Sequence, residues 1–250
     1  MSISNNKIKY IQSLKMKKKR DQHGVFVAEG EKCIENLIHN SKCQYLAGLP
    51  DVIDRFKHIE SIEEVVVTTE KDLQRASHFK TASSIIGVFY QQSHDVDPTT
   101  LNSGLHLILD EVQDPGNMGT IIRLADWFGI ESIICSHNTV DIYNPKTVQA
   151  TMGAITRVPV LYTDLSDFLK QNAQLPVYGT FLEGNNIYEE NLSKDGLIVM
   201  GNEGKGISKE IEQFVTDKIL IPSFALDSSR PESLNVAVAT AIVCSEFRRS

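Results

Sequence analysis

Leu107-Ile108-Leu109-Asp110-Glu111-Val112-Gln113-Asp114-Pro115-Gly116-Asn117-Met118-Gly119 decides how this chain is read. An apolar run ends in acidic residues, turns at Pro115-Gly116 and opens a helical pattern with Arg123 on its second turn. Pro and Gly set a tight turn, and Asn117 reads as the N-cap of the helix. The same strand–turn–helix unit recurs twice downstream. Val199-Met200 runs into Gly201-Asn202-Glu203-Gly204-Lys205-Gly206 before a short helical segment. Ile221-Pro222-Ser223 leads through a loop with Arg230 to Glu232-Ser233-Leu234-Asn235-Val236, where Ser233 or Asn235 would cap the last helix.

Around these corners, apolar runs predict strands over 105–111, 132–135, 157–161, 177–182, 197–200 and 218–221. Helical spacing predicts helices over 118–128, 145–152, 165–171, 209–215 and 234–248. Apolar strands alternating with helices imply an α/β domain with a parallel sheet covered on both faces. Ligands bind at the carboxyl ends of the strands of such a sheet. Upstream, helices are expected over 5–19, 31–39, 52–58 and 71–78. Strands are expected over 25–28, 45–49, 64–69 and 85–90, forming a smaller α/β layer. Polar residues with Pro98, Thr99, Thr100 and Ser103 mark a linker. The expected division is therefore 1–92, a linker over 93–104, and 105–250.

The formal net charge of −7 argues against nucleic acid, but its distribution does not. Residues 1–100 net +1 and residues 101–250 net −8, and Lys7, Lys9, Lys15, Lys17, Lys18, Lys19 and Arg20 precede the first acid, Asp21. Phosphate binding needs local, not global, positive charge; the same run would equally suit a solvated helix face. No apolar run approaches the ~20 residues that span a bilayer. The basic N-terminus lacks the apolar stretch of a signal peptide. Cys33, Cys43, Cys135 and Cys244 are scattered without metal spacing, and the histidines form no cluster. Inert thiols in a reducing cytoplasm, with no metal and no membrane, are the expectation. The 201–206 loop has neither Walker nor G-x-G-x-x-G spacing, which speaks against a P-loop or an ordinary dinucleotide-binding enzyme.

The strings Leu109–Ala125, Val199–Ser208 and Ile221–Ala239 resemble, in order, the three motifs of the SpoU, or TrmH, family of RNA ribose methyltransferases. Asn144 to Ala154 also resembles that family, with Thr151 where serine is commoner. Ile8–Ile11 through Phe26–Gly30 resembles the substrate-binding domain that often precedes the catalytic one, which has a ribosomal-protein-like RNA-binding fold. The resemblance implies a C-terminal SPOUT domain with a deep trefoil knot, which sequence patterning alone would never propose. It implies methyl transfer from S-adenosyl-L-methionine to a ribose 2′-hydroxyl, of ribosomal RNA in preference to transfer RNA. The rival readings are an inactive RNA-binding module and base methylation within the same superfamily.

By the same resemblance the catalytic set is Arg123, Asn117, Glu203, Ser233 and Asn235. The cofactor set is Thr180, Met200, Gly201, Gly206, Ile221 and Leu234. The resemblance further implies a homodimer through the C-terminal helix, and Val236, Ala239, Thr240 and Val243 are the stripe expected to form its seam.

Overall fold

In the computed structural model, the described residues are 2–92, 101, 103–224 and 233–249. Most of the expected linker, together with Arg230 and Glu232, lies outside them. The elements run α1 (Asn5–Ser13), α2 (Lys17–His23), β1 (Val25–Glu29), α3 (Glu31–Ile38), β2 (Cys43–Gly48), α4 (Pro50–Ile53), β3 (Val65–Val67), α5 (Glu70–Ala76) and β4 (Ile85–Tyr90). They continue with β5 (Leu105–Leu109), α6 (Pro115–Phe128), β6 (Ser132–Ser136), α7 (Pro145–Thr151), a 3₁₀ turn at Ala154–Thr156, β7 (Val160–Thr163), α8 (Leu165–Gln171), β8 (Val177–Asn186), β9 (Gly196–Met200), α9 (Lys209–Glu212), β10 (Asp217–Leu220) and α10 (Val236–Arg249).

The chain packs as two compact units, Met1–Ser93 with Asp141–Arg157, and His94–Val140 with Val158–Ser250. Packing thus groups the chain differently from a contiguous division. α7 and its flanks join the first unit. Tyr143 stacks on Phe26 with ring centroids 4.9 Å apart, and Asn36 Nδ2 donates to the Met152 carbonyl at 2.8 Å.

The first unit is built on a four-stranded sheet in the order β1-β4-β2-β3. β4 is antiparallel to β1 and β2, while β2 and β3 are parallel. The helix expected over 5–19 breaks at Leu14 to Met16. Arg20 explains the break: its guanidinium donates to the Leu14 carbonyl at 2.9 Å and the Lys15 carbonyl at 2.7 Å, satisfying acceptors at the end of α1. It also pairs with Asp141 at 2.5 Å and is only 2% exposed. Arg20 therefore leaves the basic run and becomes structural. Lys7 is held by Glu64 and lies over the Tyr45 ring. Lys9, Lys15, Lys17 and Lys18 stay exposed.

The second unit carries a six-stranded sheet, β10-β8-β9-β5-β6-β7, parallel throughout. Strand periodicity sorts its side chains. Ile108, Ile134, Val177, Leu197 and Val199 pack with Leu165, Phe168 and Leu169 of α8 and Ile211 of α9. Tyr178, one residue on from Val177, meets Phe247 of α10 edge to face at 4.8 Å on the other side. α6 and α10 pack together, and Arg248 Nε donates to the Phe128 carbonyl at the end of α6 at 2.7 Å. β8 outruns its expected end at 182. Its pairing with β10 jumps from Gly179 opposite Lys218 to Asn185 opposite Ile219, so residues 180–184 bulge from the ladder.

Candidate active site

β5 and β9 are neighbours in register, Leu109 opposite Met200, so the loops that leave their carboxyl ends begin side by side. Each loop is built by local chemistry. After β5 the chain passes through Glu111, a non-glycine residue at φ 60°. That backbone costs about 1 kcal/mol for a side chain with a Cβ and is held from three directions. The Glu111 N–H donates to Ser136 Oγ at 2.9 Å. Its carboxylate accepts from Asn138 at 2.8 Å. Its carbonyl accepts from Asn202 Nδ2 at 2.8 Å.

α6 starts earlier than the sequence pattern suggests, and its cap is not Asn117. Asp114 is the N-cap: its carboxylate accepts from the Asn117 N–H at 2.8 Å, with Pro115 at the first helical position. Asn117 sits inside the first turn, which frees its side chain. α6 buries Met118, Ile121, Ile122 and Ala125 at helical spacing and ends at Gly129, φ 60°. Arg123 is on the exposed side of that helix.

After β9 the loop closes on itself. The Asn202 N–H donates to the Gly206 carbonyl at 3.0 Å and the Gly206 N–H returns to Asn202 at 2.9 Å. Asn202 Oδ1 accepts from the N–H groups of Gly204 and Lys205. A Cβ on Gly201 would lie 2.2 Å from the Gly206 carbonyl carbon and 2.3 Å from the Ile207 nitrogen. Gly201 is therefore demanded by the loop's own closure. Gly206 is glycine for another reason: its φ is 71°, with open space where a Cβ would be. Asp110, buried after β5, accepts from the Ser208 N–H at 2.7 Å and pins the far end of the loop.

Two loops meet at one carboxylate, and the third joins them through Asn117. Glu203 Oε1 accepts from Asn117 Nδ2 at 3.1 Å and from the Asp114 N–H at 3.3 Å, and Oε2 accepts from the Gln113 N–H at 3.4 Å. Partial burial acts to raise the Glu203 pKa, but these hydrogen bonds outweigh it and hold the carboxyl below its ordinary value. Asn117 Oδ1 accepts from Asn235 Nδ2 at 2.9 Å. Asn235 Oδ1 caps α10 by accepting from the N–H groups of Ala237 and Val238.

The structure thus brings Asn117, Glu203 and Asn235 into one hydrogen-bonded chain. Thr180 and Met200 are adjacent, since Thr180 Oγ1 donates to the Val199 carbonyl at 3.1 Å and lies 3.8 Å from Met200 Sδ. Met200 is buried, Ile221 is half-buried at the end of β10, and Leu234 and Ser233 are exposed just before Asn235. Arg123 stands six residues along α6 from Asn117 and is not drawn into the chain of hydrogen bonds.

The sequence motifs contained Asp110, Glu111 and Asn202, but those residues did not stand out. Their one local signal is a pair of acids directly after a strand, and their partners lie about 90 residues away. Among the described residues no group of three or more His, Cys, Asp or Glu side chains could hold a metal. Among the same residues, no helix is long and apolar enough to cross a membrane.

The model of the SpoU rRNA Methylase family matches residues 104–245, which include all three loops. The chain belongs to that family. Residues 5–87 match the MRM3-like substrate binding domain. The chain is 28% identical to the Bacillus subtilis protein named "23S rRNA (guanosine(2553)-2'-O)-methyltransferase RlmP", covering 99% of this chain and 98% of that one. A solved structure described as a putative RNA methyltransferase of the TrmH family from Porphyromonas gingivalis is 37% identical, with a TM-score of 0.88 and coverage of 100% and 99%. The AdoMet-bound rRNA methyltransferase from Sinorhizobium meliloti is 31% identical, with a TM-score of 0.82 and coverage of 100% and 96%. The fold expected from the motifs, a parallel-sheet SpoU domain preceded by a small α/β domain, is shared with these two solved structures.

Proposed function

We propose that this SpoU-family chain transfers a methyl group from S-adenosyl-L-methionine to a ribose 2′-hydroxyl of ribosomal RNA. The observation that carries the reading is the linkage of the three family loops in one bonded chain, Glu203 to Asn117 to Asn235. The B. subtilis and S. meliloti relatives, named as rRNA methyltransferases, support the substrate class and the cofactor.

The residues fit the cofactor. Gly204 and Gly206 expose side-chain-free backbone, Ile221 and Leu234 add apolar surface from two parts of the chain, and Met200 ends β9 as a buried side chain. These residues, with Thr180, Gly201 and Gly206, would hold the cofactor, which supplies a methyl already activated on a sulfonium. The chain's own work is alignment of the hydroxyl with the methyl and sulfur. Arg123 is exposed, and an arginine side chain stays cationic at any working pH. It would orient the hydroxyl or hold its neighbouring phosphate. Ser233 lies beside Asn235 at the same helix entrance.

Lys9, Lys15, Lys17 and Lys18 would meet RNA phosphates from the first unit. Homodimerisation through α10 belongs to the same proposal, on a different face from the expected stripe. Val236, Thr240 and Val243 are buried within the chain, so a second copy would meet Leu234 and Val238 together with Trp127 of α6, which is 83% exposed. The trefoil threading of α10 and a cytoplasmic location complete the reading. Cys33, Cys43, Cys135 and Cys244 are free and buried, which suits a reducing compartment.

Mapping 2′-O-methyl sites in ribosomal and transfer RNA from cells with and without this gene tests the reaction. A site that vanishes from ribosomal RNA is the expected result. No change in either RNA, together with no heat of S-adenosyl-L-methionine binding, would overturn the reading.

A further inference from the structure

The chain of hydrogen bonds from Glu203 through Asn117 and Asn235 to α10 has a direction. An ionised carboxylate only accepts, so Asn117 must turn its NH₂ toward Glu203. That leaves the Asn117 carbonyl for Asn235, which must answer with its own NH₂. The Asn235 carbonyl is then left for the N–H groups of Ala237 and Val238, where a helix start needs an acceptor. The charge at one end and the helix terminus at the other specify the same orientation of both amides. The three loops lock together only in that orientation.

We infer that Glu203 is a positioning residue: its carboxylate sets the amide polarity of Asn117 and Asn235 and so fixes the start of α10 against the loops that follow β5 and β9. Neither asparagine is free to orient itself to a substrate. For Asn117 one N–H and one carbonyl lone pair are already committed, and for Asn235 the carbonyl oxygen is shared between two backbone donors. The role deepens the methyltransferase reading, on which its functional consequence rests, by separating residues that hold the site from the exposed Arg123 that can touch the ribose.

Reversing the polarity gives the test. In Asn235→Asp the new carboxylate still caps α10 but offers no donor to Asn117. If Asn117 keeps its orientation, two oxygens face each other at position 235. If it flips, two oxygens face each other at Glu203. Adding Glu203→Gln removes the conflict. Asn117 then flips, donates to the carboxylate at position 235 and accepts from the amide NH₂ at position 203. The amide oxygen at position 203 still accepts from the Gln113 N–H. The double variant keeps the net charge of the wild type and sacrifices only the 3.3 Å bond from Asp114.

Thermal and denaturant unfolding of wild type, both single variants and the double variant needs no cofactor, so it judges the relay even if the assigned reaction is wrong. Calorimetry with S-adenosyl-L-methionine on the same four proteins then reads the functional consequence. Asn235→Asp should shift the folding equilibrium about tenfold toward the unfolded chain and weaken cofactor binding by a similar factor, the size of one mismatched charged hydrogen bond. E203Q/N235D should recover most of both losses, the non-additivity expected of directly coupled partners. Should Asn235→Asp not fold, recovery of folded protein in the double variant is the same rescue. Additive losses, with the double variant worse than Asn235→Asp, overturn the relay. Wild-type protein that takes up no S-adenosyl-L-methionine, with the unfolding rescue intact, overturns the methyltransferase reading and leaves the relay standing.

Discussion

Replacing Gly201 by alanine adds one carbon to the tightest backbone contact in the β9 loop. That carbon would sit 2.2 Å from the Gly206 carbonyl carbon, 2.3 Å from the Ile207 nitrogen and 2.6 Å from the Gly206 oxygen. Favourable carbon–carbon contacts begin near ~3.5 Å, so the opposing strand of the loop must retreat by roughly 1 Å. Such a shift ruptures the paired Asn202–Gly206 backbone bonds, which span 3.0 and 2.9 Å in the intact loop. It also loosens the Asp110–Ser208 anchor behind them. Two lost hydrogen bonds at about 1 kcal/mol each, with some residual strain, sum to about 2–4 kcal/mol. Urea unfolding should show a lower midpoint at unchanged slope, and calorimetry should show S-adenosyl-L-methionine binding abolished. Because the cause is internal to the loop, valine should be no more than modestly worse than alanine. Gly201→Ala within about 0.5 kcal/mol of wild type, a shift ordinary for a neutral surface change, would refute the reasoning.

Other changes separate capture, chemistry and scaffold. Arg123→Ala should leave unfolding within about 0.5 kcal/mol of wild type, since the side chain is exposed, yet remove turnover at saturating RNA far more than RNA affinity; single-turnover methylation measures this. Lys15, Lys17 and Lys18 changed together to alanine should flatten the salt dependence of RNA binding by a slope of about 2, at ~0.7 per phosphate on a single strand, with cofactor affinity unchanged. Arg20→Met should destabilise by about 3–5 kcal/mol in denaturant, because it strands Asp141 and two carbonyls.

His78 sets an acid limit. Burial lowers its pKa from 6.5 to about 4, with Nε2 donating to the Ile11 carbonyl and Nδ1 without a partner. The native state binds fewer protons than the unfolded chain between those values, so stability should fall as pH drops from 6.5 toward 4. Glu29, raised first by burial, pulls the other way above its own ordinary value. His78→Gln should flatten the acid limb in pH-resolved melting, and an unchanged limb would assign it to other groups.

The sequence by itself determined whatever a single turn or strand can encode. Alternating apolar runs and helical spacing placed most strands and helices of the six-stranded unit. The Pro115-Gly116 and Gly201–Gly206 corners marked where the loops leave the sheet. The motif strings identified the family because they are contiguous. Tertiary structure decided everything that depends on a distant partner. Asn117 looked like a cap because the rule is local. Asp114 takes that place three residues earlier, and Asn117 instead joins Glu203 and Asn235, 86 and 118 residues away. The continuous helix over 5–19 satisfied every local preference, and only the buried Arg20–Asp141 pair, 121 residues apart, bends the chain there. Residues 141–157 pack in the first unit for the same kind of reason: stacking of Tyr143 on Phe26 has no trace in either segment alone. Periodicity and capping act over one turn, about 5 Å of chain. Strand order and shared hydrogen bonds are set by which surfaces meet after the chain has folded.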